Sequence, residues 1–147
     1  MNHLESTKTL ASIGDADTAT NATFTHAIDT LGYDYASIDI VFEASTATTD
    51  DVANALKLGQ GDTATAFTDI TAFVGGGAGG FTIPGSSVTG AANIVRFNVD
   101  MRGKKRHLQV SATPAFATRV ASVVRLGKAE VGPVSAAEVG VAAVVSG

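Results

Sequence analysis

A chain of 147 residues that is 45% hydrophobic and 16% charged has the size and composition of one ordered globular domain with a sizeable core, not of a disordered chain. The formal charge of −4 argues against a general nucleic-acid binder, which would be basic, and the absence of cysteine excludes disulfides, thiol catalysis and thiolate metal sites. No stretch approaches the ~20 apolar residues of a membrane helix, and Met1–Gly14 has no apolar core of signal-peptide length, so the expectation is a soluble protein made in the cytoplasm.

Met1–Lys8 is polar and reads as a loose terminus. Thr9–Ile13 is a short strand ending at Gly14-Asp15, and Thr20–Ala27, around Phe24, is a second candidate. Leu31-Gly32 is a turn. Tyr35–Glu43 is a strand with Ala36, Ile38, Ile40 and Phe42 on one face and Tyr35, Ser37, Asp39, Val41 and Glu43 on the other. Ala44–Asp51 is a Ser/Thr/Asp-rich loop. Asp50–Leu58 fits either a short helix or a strand over Asn54–Gly59 with Leu56 and Leu58 inward, and the strand is favoured. After a turn at Gln60-Gly61-Asp62, Phe67–Val74 is a strand anchored by Phe67 and Phe73, with Asp69 exposed. Gly75–Gly80 is a flexible connection, and Phe81–Pro84 is an extended edge segment.

The clearest alternation lies in Ile94–Pro114. Val95, Phe97, Val99 and Met101 alternate with Arg96, Asn98 and Asp100, and Leu108, Val110 and Ala112 alternate with His107, Gln109 and Ser111. Joined by Gly103-Lys104 as a two-residue turn, the two runs read as a hairpin that pairs Val99 with Leu108, Phe97 with Val110 and Val95 with Ala112. Asp100 then lies opposite His107, Asn98 opposite Gln109 and Arg96 opposite Ser111. Thr118–Ala129 is a further strand, with Val120, Ser122, Val124 and Leu126 on one face and Arg119, Ala121, Val123 and Arg125 on the other. Residues 130–147 are Val/Ala-rich, either a last strand or an arm reaching a neighbouring subunit through Val139, Val141 and Val144.

About eight short strands without a convincing long helix or a fixed-period repeat predict a single all-β domain, an antiparallel β-sandwich of the jelly-roll kind. The pattern supplies no catalytic constellation. His3, His26 and His107 are scattered, and the Asp100–His107 pair is simpler as a cross-strand polar contact than as a catalytic one. Gly75–Gly80 lacks the Gly-Lys-Ser/Thr of a phosphate loop. Asp15 with Asp17, and Asp50 with Asp51, lack the spacing of a calcium loop. No cofactor is expected. Exposed aromatic platforms for a sugar are reduced to Tyr33 and Tyr35. The basic run Arg102, Lys104, Lys105 and Arg106 has two readings: a solubilising hairpin end, or a patch guiding association with an acidic partner.

The strings Tyr33-Asp34-Tyr35-Ala36-Ser37-Ile38-Asp39-Ile40, Ala55-Leu56-Lys57-Leu58, Thr68-Asp69-Ile70, Arg96–Arg106 and Leu126-Gly127-Lys128-Ala129-Glu130 resemble small structural proteins of tailed bacteriophages, most of all the capsid cement, or head decoration, proteins. That resemblance spans Tyr33 to Glu130 and is structural rather than catalytic. It implies a non-enzymatic virion protein of jelly-roll type, often trimeric, that binds the outer face of the major capsid protein lattice and stabilises the shell. A tail or head-fibre adhesion module binding host-surface glycans is the alternative.

Overall fold

A computed structural model describes residues 7–15, 22–44, 51–86 and 92–129. They form eight strands and no helix: β1 (Lys8–Ile13), β2 (Phe24–Asp29), β3 (Tyr33–Phe42), β4 (Ala53–Gly61), β5 (Thr68–Val74), β6 (Asn93–Asp100), β7 (His107–Pro114) and β8 (Val120–Ala129). One sheet has the order β1-β8-β3-β6 and the other β2-β7-β4-β5, with every ladder antiparallel. Successive strands alternate between the sheets, apart from β4 and β5, which are neighbours. This is the strand order of a jelly roll, the class expected from about eight short strands in a chain of this length.

The core lies between the sheets. Ala36, Ile38, Ile40 and Phe42 on β3 and Val120, Val124 and Leu126 on β8 meet Leu56 and Leu58 on β4 and Leu108, Val110 and Ala112 on β7, all essentially inaccessible to solvent. Phe97 on β6 closes one flank against Phe73 on β5 and Phe81, with ring centroids 5.2 and 5.4 Å away. These tilted and edge-on contacts are favourable for aromatic pairs. Phe67, expected as an anchor beside Phe73, is only half-buried and lies outside the core.

The Ile94–Pro114 hairpin does not form. β6 pairs with β3, setting Val95 against Ile40, Phe97 against Ile38 and Val99 against Ala36. β7 pairs with β2 and β4 in the other sheet. Asp100 stands opposite Tyr35, Asn98 opposite Ser37 and Arg96 opposite Asp39, while His107 stands opposite Asp29 and Gly61. Alternation marks which face of a strand is buried but says nothing of its lateral neighbour. Phe97 and Val110 both point into the core, from opposite sides. Residues 101–106 carry the chain across the ~10 Å between packed sheets. The turn itself is displaced by one residue. The Lys104 amide donates to the Met101 carbonyl at 2.9 Å, and Gly103 takes φ +82° as the second central residue, where a type II turn needs it.

Residues 53–61 are a strand, not a helix. The strand runs on through Gln60 and Gly61, so the following turn begins at Asp62. The glycine run folds into tight turns rather than a loose tether. The Gly76 amide bonds to the Phe81 carbonyl and the Phe81 amide to Val74, and a Cβ on Gly80 would sit 1.8 Å from the Val74 carbonyl oxygen. His3, Asp17, Asp50 and residues 130–147, with Val139, Val141 and Val144, lie outside the described residues.

Candidate interaction surfaces

The basic run Arg102, Lys104, Lys105 and Arg106 lies at one end of the sandwich, in the crossover from β6 to β7. Three other segments meet it there. Arg106 forms a two-pronged pair with Asp29 at the end of β2, Nε to Oδ1 at 2.9 Å and Nη2 to Oδ2 at 2.6 Å. Lys105 Nζ donates to Asp62, just after β4, at 2.6 Å, and its amide donates to Gln60 Oε1. Arg102 folds back on Asp100, with Nη2 to Oδ2 at 2.6 Å. Lys104 makes no ion pair among the described residues. Three of the four cations are thus matched by carboxylates, and the end is a network rather than a bare positive patch. The guanidinium of Arg106 holds the Asp29 carboxyl down at about 2, and that of Arg102 does the same for Asp100, also at about 2.

The β2–β3 turn is fastened to this network. The Thr30 hydroxyl and amide both donate to the Arg106 carbonyl, at 2.5 and 3.1 Å. The Leu31 amide donates to Asp29 Oδ1, the Tyr33 amide closes the turn on Thr30, and Gly32 supplies φ +83°. Leu31 stands at the apex, 65% exposed. Four hydrogen bonds pin this turn, so its apolar apex is held in place without further ordering of the loop.

The outer face of the β1-β8-β3-β6 sheet is a second surface. Its registers define rows that cross the whole sheet. Ile13, Ala121, Val41 and Ile94 form an apolar row, with the two isoleucines 71% and 62% exposed at its ends. Ala11, Val123, Asp39 and Arg96 form the next row, and Thr9, Arg125, Ser37 and Asn98 the one after. Gly127, Tyr35 and Asp100 follow. Asp39 is covered from both sides. Arg96 reaches it with Nε to Oδ1 at 2.5 Å and Nη2 to Oδ2 at 2.9 Å, and Arg125 with Nη1 to Oδ2 at 2.9 Å. These hydrogen bonds, Arg96's first, outweigh burial and lower the Asp39 carboxyl below its ordinary value. A shallow groove of about 530 Å³ runs along Tyr35, Ser37, Asn98, Arg125 and Gly127.

Neither tyrosine is a bare platform. Tyr33 packs against the core. Tyr35 carries the Arg102 guanidinium 5.3 Å and the Lys128 ammonium 5.7 Å from its ring centroid. Asp100 and His107 sit on different sheets, so the pair read from the hairpin is not assembled. His26, on the inner face of β2 opposite Val110, is half-buried, and desolvation lowers its pKa.

Leu31, Ile13, Ile94 and the Asp39 clamp went unremarked in the sequence. A signal existed for some of them. Val41, Val123 and Ile94 are apolar where alternation assigns an outward position, and Leu31 is apolar at a turn apex before glycine. The clamp had none, because Asp39, Arg96 and Arg125 come together only through the pairing of three strands distant in the chain. Comparison of the chain with protein-family models, with curated proteins and with solved structures returned no match.

Proposed function

We propose that this protein is a structural component of a tailed-bacteriophage virion, a decoration protein that binds the outer face of the major capsid protein lattice and stabilises the shell. The observation that carries the proposal is the pre-fastened end of the sandwich, where Leu31 stands exposed on a turn bonded to Asp29 and Arg106, and Lys104, in the same β6–β7 crossover as Arg106, makes no ion pair among the described residues. The resemblance of Tyr33–Glu130 to capsid cement proteins supports it, as does the jelly-roll strand order. Such a protein acts mechanically. It needs a rigid contact that loses little entropy on docking, and added contact area between neighbouring shell subunits opposes the internal pressure of packaged DNA. Leu31 supplies the apolar anchor, and Lys104 faces a carboxylate on the shell.

The test mixes purified protein with expanded shells lacking it and measures co-sedimentation and the temperature of shell disruption. Bound protein raises that temperature. Leu31→Asp weakens occupancy by at least ~30-fold, as removal of a central anchor does. Lys104→Glu weakens it less, and that loss fades as salt rises. Absence of the wild-type protein from purified virions, or unchanged occupancy for Leu31→Asp, refutes the proposal.

A further inference from the structure

We infer that the outer face of the β1-β8-β3-β6 sheet is a self-association surface whose occupant is a second copy of this chain, packed face to face about a two-fold axis parallel to the strands. The inference concerns a different surface from the loop end assigned to shell binding and does not depend on that role.

The register of the sheet carries it. A two-fold axis along the strand direction keeps each row over the same row of the second copy and reverses the strand order. β1 then lies over β6, and β8 over β3. In the apolar row Ile13 meets Ile94 of the second copy, and Ala121 meets Val41. In the next row Ala11 meets Arg96 and Val123 meets Asp39. In the third Thr9 meets Asn98 and Arg125 meets Ser37. In the fourth the Tyr35 ring lies over Gly127, where a Cβ would find open space. No row sets a cation on a cation or a carboxylate on a carboxylate. Each charged or bulky side chain faces a small or neutral one, the self-complementarity that an isologous interface demands. An axis across the strands instead sets the isoleucine row on Tyr35 and Asp100.

The charges of the face are already prepared for burial. Asp39 receives three hydrogen bonds from Arg96 and Arg125 within its own chain. Covering it with a second copy therefore leaves no unpaired carboxylate, the state that makes interfacial charge costly. Area is adequate. Four strands ~4.8 Å apart and four rows ~6.8 Å apart give roughly 500 Å² of projected face. Side-chain relief raises the accessible area above that, towards the ~600–1,000 Å² per partner that specific interfaces bury. The exposed isoleucines at both ends of the apolar row give a monomer reason to associate.

Sedimentation equilibrium on the full chain tests this. The wild type is expected at twice the chain mass of 14.8 kDa. Ile13→Asp and Ile94→Asp each enter the interface twice in an isologous dimer, and each raises the dissociation constant by at least ~100-fold. Both positions are exposed in the single chain, so far-ultraviolet circular dichroism of the variants matches the wild type. Leu31→Asp, at the other end, leaves the mass unchanged. A monomeric wild type at its highest soluble concentration overturns the inference. So does a trimer, or an Ile94→Asp variant with the wild-type dissociation constant. Loss of shell binding with an intact dimer sinks the decoration role alone.

Discussion

Phe97 is the side chain through which the two sheets meet at the β5–β6 flank, and its removal is the most direct test of the crossover topology. It is 4% exposed and holds two ring contacts, with Phe73 on β5 at 5.2 Å and with Phe81 at 5.4 Å. Phe97→Ala removes the ring, strips Phe73 of its tilted contact and Phe81 of its edge-on one, and leaves a cavity that a sandwich pinned by flanking ladders cannot fully collapse. Buried Phe→Ala changes cost ~3–5 kcal/mol, and two aromatic neighbours place this one in the upper half of that range. For a domain of this size 1 kcal/mol moves the melting midpoint by ~2–4 °C, so the variant should melt roughly 10–15 °C below the wild type. The assay is thermal unfolding by circular dichroism at fixed protomer concentration. A double-mutant cycle with Phe73→Ala then isolates the sheet-to-sheet term, expected at ~0.5–1.5 kcal/mol. Losses that add to within ~0.3 kcal/mol would show that Phe73 and Phe97 do not touch, and the crossing of the chain between sheets after β6 would lose its support.

Two further outcomes concern the loop end. Arg106 holds the Asp29 carboxyl at about 2, against an ordinary 3.8. A depressed carboxyl contributes stability that is complete above its unfolded value and is lost as pH falls towards its folded one. Between pH 4 and 2 the wild type should therefore lose stability more steeply than Asp29→Asn in urea titrations, and parallel losses would refute the pairing. Gly103 sits at φ +82° with open space around it, so Gly103→Ala meets backbone strain rather than a clash and should cost ~1–2 kcal/mol in the same titrations. An unchanged midpoint would mean that the turn does not need the left-handed conformation.

Much of the fold was legible along the chain. The inward sets Ala36–Ile38–Ile40–Phe42 and Val120–Ser122–Val124–Leu126 follow from period-two alternation alone, and so does the all-β class. Each is a local property: a strand with one buried face must repeat every two residues, whatever lies beside it. Leu56 and Leu58 favoured a strand over a short helix for the same reason, and the strand is what forms. The basic run was visible as residue type, but not its neutralisation, because Asp29 and Asp62 reach it from β2 and the loop after β4.

Sequence by itself determined most of the residues that face the core, the turns to within a residue or two, and that the architecture is an antiparallel sandwich; Phe67 was the misplaced anchor. Tertiary structure alone decided which strands are neighbours. Phe97 and Val110 satisfy the same alternation whether they sit side by side in one sheet or face each other across two, because burial is blind to the partner that provides it. That choice moved Arg96 from Ser111 to Asp39 and His107 from Asp100 to Asp29. It also lined up Ile13, Ala121, Val41 and Ile94, drawn from four distant stretches, into one exposed row. Surfaces of this kind are properties of register, and register exists only once the strands have paired.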